Sequence, residues 1–288
     1  MINGVMCLNG ERVVFNGVNR HEWNADRGRA IGADDMHAAM AVFKKNNINA
    51  VRTCHYPDQS LWYDLCDRNG IYMIDETNLE SHGSWQKLGA VEPSWNVPGS
   101  LPEWKDCVVD RARSMFERDK NHAAVLIWSC GNESYAGEDI LAMSQFFHDH
   151  DPGRLVHYEG VFHCRAFDAI SDMESRMYAK PWEIREYLES HPKKPFILCE
   201  YMHDMGNSLG GMESYVRLAD EFDQYQAASS GTTWTRRSGT LTRLAAACWA
   251  TAATLRTATP ITTSAATALS TPTVPRSPPC RTCATGTT

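Results

Sequence analysis

The sequence predicts an α/β protein, a (β/α)8 TIM barrel built incompletely, and three observations predict it. Short apolar, branched runs alternate with amphipathic helical segments about seven times, the pattern of a parallel sheet buried by helices. No glycine-rich phosphate turn follows an early strand, as a doubly wound open sheet would usually offer. The polar residues of chemical interest follow strands rather than helices, which is how a barrel presents its working groups at one rim.

The elements fall in order. The first strand is expected over 11–19 (ERVVFNGVN), entered from the Asn9-Gly10 turn. A helix over 34–46 carries Met36, Met40 and Phe43 on one face, with Asp34 as its expected N-cap. The second strand is 48–53, then comes a helix over 58–69 stopped by Asn69-Gly70, and the third strand is 71–76. A Gly/Pro/Trp-rich loop over 84–102 interrupts the alternation, and loops of that length in compact domains are usually functional. A helix over 103–119 leads to the fourth strand, 123–128, whose apolar run ends abruptly at Ser129-Cys130-Gly131-Asn132-Glu133. There follow a helix over 138–150, strands over 155–158 and 169–177, a helix over 181–190 with Pro181 near its start, a strand over 194–199 and a helix over 211–225.

Composition narrows the function. The chain has 288 residues, 43% of them hydrophobic, enough for one large core or two small ones. No charged-then-apolar leader opens it, and no apolar run nears the ~20 residues of a membrane span, so a soluble, cytoplasmic protein is expected. Cys54, Cys66, Cys107, Cys130, Cys164 and Cys199 are scattered without metal-finger spacing, which suits free thiols in a reducing compartment. The averages conceal a break after Gln226. The remaining 62 residues contain no acidic, amide, lysine or histidine side chain, and threonine and alanine are half of them. All 35 acidic residues precede it with 22 of the 28 basic ones, so residues 1–226 carry −13 and residues 227–288 carry +6. An acidic body excludes nucleic acid or an anionic membrane as the main partner.

His21 and Glu22 follow the first strand; Arg52 and His55 end the second. Glu80 and His82 follow the third, Asn132 and Glu133 the fourth, Tyr178 the sixth, and Glu200 with His203 the seventh. Each alone has a bland explanation: a surface histidine, a solvated carboxylate, a loop amide. Together they converge on one rim. Two carboxyls aimed into one cavity, Glu133 and Glu200, suit glycoside hydrolysis, where one donates a proton and the other attacks or stabilises an oxocarbenium-like centre. Glu80 and His82 lie on the same side of an extended segment, and with Glu133 they could hold a hard divalent cation.

The segments FNGVNRHEW, NAVRTCHYP, DETNLESHG, DKNHAAVLIWSCGNES and PFILCEYMHDMGNSLGG together resemble the catalytic barrel of glycoside hydrolase family 2 β-galactosidases, in order from about residue 8 to 226. The CEY-x-H-x-MGNS form and the ESH segment resemble β-galactosidases rather than β-glucuronidases or β-mannosidases. The resemblance implies Glu133 as acid/base and Glu200 as nucleophile of a retaining double displacement on terminal β-D-galactosides. It implies Glu80, His82 and Glu133 as Mg2+ ligands, with Na+ a further cation of the full-length parent. It implies Asn132 beside the sugar 2-hydroxyl, His21, His55, Tyr178 and His203 around the galactose or the nucleophile, and Arg52 orienting Glu200. It also implies a homo-oligomeric full-length parent.

The family pattern stops after Gln226, before the eighth strand, and the β domains that flank the barrel in the family are not found, so this chain alone is expected to be weakly active or inactive. Written in codons, residues 227–236 (AASSGTTWTR), read one base earlier from the last G of a CAG codon, can give GGFIWDYMDQ. The same shift applied to residues 266–285 can give GDGTVYADRTPKPAMQDVRY. Both are similar to the family's barrel end. Residues 227–288 are therefore expected to be a frameshifted, disordered tail of a fragment. The alternative functions are a non-catalytic remnant that works by complementation, another family 2 β-glycosidase, or, less well supported, a sugar-binding module.

Overall fold

The computed structural model describes residues 1–85, 87, 90, 92, 95–203 and 211–230, and of 227–230 only the backbone. A two-stranded antiparallel hairpin, β1 (Cys7–Leu8) and β2 (Glu11–Arg12), precedes eight parallel strands. These are β3 (Phe15–Arg20), β4 (Ala50–Thr53), β5 (Tyr72–Glu76), β6 (Val125–Ser129), β7 (Leu155–His157), β8 (Glu174–Met177), β9 (Phe196–Tyr201) and β10 (Tyr225–Ser230). The helices between them are α1 (Ala33–Lys45), α2 (Ser60–Asn69), the single turn α3 (His82–Trp85), α4 (Pro102–Asp119), α5 (Glu138–His150), α6 (Pro181–Glu189) and α7 (Met212–Glu221).

The sheet order is β7-β6-β5-β4-β3-β10-β9-β8, so the barrel fold stands but its incompleteness lies elsewhere than expected. The eighth strand is present. Residues 227–230 pair with Phe15–Val18 of β3 on one side, and β10 pairs with β9 on the other. Two neighbouring edges with unpaired N–H and C=O groups accept any extended backbone between them, so the pairing asks little of the side chains. Gln226 fixes the register: its buried carboxamide accepts from the Met6 N–H (2.5 Å) and donates to the carbonyls of Met6 (2.7 Å) and Val13 (2.9 Å). The open seam lies between β7 and β8, not at β3 and β9. There Asp172 N–H donates to the Val156 carbonyl (2.9 Å) and His157 meets the Ser175 hydroxyl (2.8 Å) across a broken ladder. Residues 231–288, where most of the expected tail falls, lie outside the described residues.

Smaller differences have local causes. The strand expected over 169–177 is a 3-10 turn, Arg165–Ile170, followed by the shorter β8. Helix α1 starts a residue before Asp34, capped at Gly32, whose N–H donates to the Asp35 carboxylate (2.9 Å). The last helix ends at Glu221, where the chain turns into β10.

Side chains alternate between the two faces of each strand, so residues two apart share the barrel interior. The lower interior is apolar, with Phe15, Ala50, Ile74, Ile127, Met173 and Ile197 in one cluster, closed from below by Met6 and Val13 around the hairpin. Two residues further along each strand stand Arg52, Glu76, Ser129 and Ser175, all buried. The outward faces pack on the helices, with Trp62, Trp128 and Phe147 among the buried residues of that larger cluster. Period-2 alternation thus stacks a polar layer directly on an apolar one.

Candidate active site

Arg52 organises the polar layer. Its guanidinium is fully buried and donates to Glu76 (Nε, 2.7 Å), to Asn19 and Glu200 (Nη1, 3.2 and 3.0 Å) and to Asn132 (Nη2, 2.8 Å). Burial would raise the Glu76 carboxyl, but Arg52 and His55 hold it down at about 2. Glu76 also accepts from Ser129 Oγ (2.8 Å), which lies 2.9 Å from His157 Nδ1. Burial and the nearby Arg52 charge push His157 down to about 3, so it stands there as a neutral ring.

Glu200 projects into this layer from β9. Strict alternation from Ile197 would turn Cys199 inward and Glu200 outward. A register shift after Arg176, opposite Leu198 and Glu200, breaks the alternation and re-aims the carboxylate. Its Oε1 takes the Arg52 bond and lies 3.6 Å from His55 Nε2, while Oε2 accepts the Tyr178 hydroxyl (2.6 Å). Burial opposes ionisation, yet Arg52, His55 and Tyr178 together keep Glu200 below the ordinary glutamate range. Tyr178, at φ +56°, is fixed by its own N–H to the Glu200 carbonyl (2.8 Å). Burial and the nearby Glu200 and Glu133 raise its phenol well above the usual value, so it remains a donor.

The turn after β6 carries Asn132 and Glu133. Gly131, at φ +139°, approaches Leu79 so closely that a Cβ would stand 2.7 Å from the Leu79 carbonyl oxygen. That approach lets Asn132 N–H donate to the same carbonyl (2.8 Å) and pairs residue 132 with Glu80 in a parallel bridge. Glu133 follows at φ +36°, an uncommon conformation held by its N–H to Glu159 Oε1 (2.7 Å). Burial, reinforced by Glu76 and opposed by Arg52, pushes the Glu159 carboxyl up to about 8.

His82 Nδ1 bonds the Glu133 carboxylate and lies 4.0 Å from Glu80 Oε1. Glu80, His82 and Glu133 each place one donor atom within 4.8 Å of the others, at a half-exposed rim. Two carboxylates converging with an imidazole fit a divalent cation whose other positions hold water. His55 Nδ1 bonds Glu76 (2.8 Å), and the His21 ring meets the His55 ring edge-on with centroids 5.4 Å apart. His203 is half-buried, two residues past β9. The residues singled out from sequence thus lie at one end of the barrel, with Arg52 bonded directly to Glu200 and Asn132. Sequence reasoning missed Asn19, Glu76, His157 and Glu159. Only Glu76 left a signal, as an acidic residue closing the run YMIDE.

The profile described as glycosyl hydrolases family 2, TIM barrel domain, matches residues 1–238. The chain belongs to that family. It is 64% identical over 226 residues to a β-galactosidase of Halalkalibacterium halodurans, covering 78% of this chain and 22% of that protein. It is 65% identical over 226 residues to a β-galactosidase of Clostridium acetobutylicum, covering 78% of this chain and 25% of the relative. The large subunit of a Lactobacillus acidophilus β-galactosidase is 62% identical over 222 residues, 77% of this chain and 35% of that subunit. The chain therefore spans about a fifth to a third of the length of these curated relatives. A solved structure of Ruminococcus gnavus β-glucuronidase in complex with D-glucuronic acid superposes with a TM-score of 0.66 at 19% identity, over 86% of this chain and 50% of that one. At that identity it supports the fold. The resemblance to the β-galactosidase barrel is borne out, and by family the chain is a glycoside hydrolase. Among the described residues no helix is long and apolar enough to cross a membrane.

Proposed function

We propose that this chain is the catalytic barrel of a retaining β-galactosidase, with Glu200 as nucleophile and Glu133 as acid/base. The observation that carries the reading is the treatment of Glu200. A buried carboxylate is kept ionised by Arg52, His55 and Tyr178, which fix both of its oxygens and leave it poised to attack a carbon above the layer. Attack at C1 of a bound β-galactoside forms a glycosyl ester on Glu200 while Glu133 gives its proton to the departing oxygen. Glu133 then takes a proton from water as that water attacks C1, and the sugar leaves with its β configuration retained. Asn132, held by Arg52, is placed for the 2-hydroxyl; His21, His55 and His203 stand around the sugar.

Glu80, His82 and Glu133 would hold Mg2+, whose charge beside Glu133 would help set its proton affinity. The large-subunit names among the relatives support assembly of the parent with further chains. Residues 227–288 are proposed to be a shifted reading frame. Coding DNA that offers no alternative frame over that stretch would remove this part of the reading.

The test does not require turnover. A 2-deoxy-2-fluoro-β-galactosyl fluoride should add one fluorogalactosyl mass to the folded chain, carried by the peptide containing Glu200 and absent in Glu200→Gln. A label on another carboxylate overturns the assignment, and a folded chain that takes no label is the non-catalytic remnant instead.

A further inference from the structure

Cys54 has no part in the galactoside reading, yet it stands at the edge of the site. It is the first residue after β4, 1% exposed, with a free thiol. His55 follows it, and His21 faces it from the end of β3. One donor atom from each of the three lies within 4.8 Å of the others. The ring of His55 is already set as metal-bound histidines are. Its Nδ1 is occupied by the Glu76 carboxylate at 2.8 Å, which leaves Nε2 as the nitrogen that could meet a cation. That nitrogen lies 3.6 Å from Glu200 Oε1, which brings a carboxylate within reach as a fourth donor.

We propose that His21, Cys54 and His55 form a second metal site, for a thiophilic divalent cation of the Zn2+ class, with Glu200 completing the coordination. Two imidazoles, one thiolate and a carboxylate are a tetrahedral zinc set, whereas Glu80, His82 and Glu133 present the oxygen-rich set of a hard cation. Tetrahedral ligand atoms stand about 3.3–3.8 Å apart at zinc bond lengths, so closing up from separations of at most 4.8 Å needs side-chain movement of no more than about 1.5 Å. The S–H bond breaks as the metal–sulfur bond forms, the proton leaves to solvent, and the cation stays divalent. The ion would sit on Glu200, so its occupancy would block the proposed nucleophile. That consequence rests on the function proposed above; the binding itself does not.

Co2+ is the probe, because thiolate ligation gives it an intense near-ultraviolet charge-transfer band that oxygen and nitrogen ligands alone do not. Cys280 and Cys283 are spaced as a thiolate pair, so both are replaced by serine throughout. One equivalent of Co2+ should then produce the band. Cys54→Ser should abolish it with the near-ultraviolet circular dichroism unchanged, His21→Asn at the half-buried rim should weaken binding, and Glu80→Gln should leave the band intact. Absence of the band, or its persistence in Cys54→Ser, overturns the proposal. Should Cys54→Ser not fold, an undiminished band in His21→Asn does the same. Failure of the fluorosugar to label Glu200 would leave the band untouched, so the two readings fail separately.

Discussion

Truncating Gln226 to alanine tests the strand that closes the barrel. The carboxamide makes three buried bonds to the segment that caps the barrel floor, at 2.5, 2.7 and 2.9 Å. In Gln226→Ala the Met6 carbonyl keeps a bond from Val13 N–H (3.2 Å), but the Met6 N–H and the Val13 carbonyl lose the partner that Gln226 supplies. A buried donor left unpaired costs about 1–3 kcal/mol and a lost neutral bond about 1 kcal/mol, so the expected loss is about 2–4 kcal/mol. Arg12 makes the same join from the other side, donating to the carbonyls of Ala219, Phe222 and Tyr225. Urea unfolding at neutral pH, followed by far-ultraviolet circular dichroism, measures the change. Against a domain stability of about 5–15 kcal/mol it is a large shift in midpoint. If β10 did not sit between β3 and β9, the Gln226 side chain would be solvated and its removal nearly silent. A change below about 0.5 kcal/mol would therefore refute the eighth strand and restore a barrel of seven.

Arg52→Met should cost about 3–5 kcal/mol by leaving Glu76 buried without its cation, and Arg52→Lys should recover only part because it lacks the fork; a midpoint equal to the wild type would contradict this. Asp168 accepts from Lys194 (2.6 Å) and Arg165 (2.9 Å), and although burial opposes it, these cations lower its carboxyl. A lowered folded value stabilises the protein above the unfolded value near ~3.9 and is lost as pH falls through the folded one. Asp168→Asn should therefore cost about 0.2–1 kcal/mol at pH 7 and progressively less as pH falls below about 3.9, read by thermal unfolding across that range. Mg2+ at a hundred times its dissociation constant should stabilise the chain by about 2.7 kcal/mol, and His82→Ala should remove that increment in a thermal shift experiment.

Much of this architecture is legible in the sequence because burial and periodicity write it there. The branched runs at 71–76 and 123–128 read as strands, and the helix over 138–150 ends where Asp151-Pro152-Gly153 ends it. Polar residues at or just beyond strand ends stand out against apolar neighbours, which is why Arg52, His55, Asn132 and Glu133 could be singled out. Glu76 left only the faint mark of an acidic residue closing a strand, and His157 left none, because its partners come from other strands. The inward turn of Glu200 depends on a register shift that no single strand encodes. The eighth strand was hidden for a different reason. The alanine- and serine-rich end of that strand has no strand periodicity, but an extended backbone fits between two prepared edges.

The polar layer has a charge limit that sorts its carboxyls. Arg52 lies among Glu76, Glu200 and Glu159, and one guanidinium cannot neutralise three buried anions. Glu76 and Glu200 touch it directly, and both are held below the ordinary glutamate range. Glu159 has the influence of Arg52 without a bond to it, faces the Glu76 charge, and keeps its proton up to about pH 8. Environment thus separates chemically identical groups into anion and acid, as catalytic sites require. A second permanent cation beside Glu159 would ionise it and add repulsion to Glu200, weakening the bias that Arg52 imposes. The layer works with a single arginine because one of its carboxyls stays neutral, and that neutral group is the one whose oxygen holds the Glu133 backbone in place.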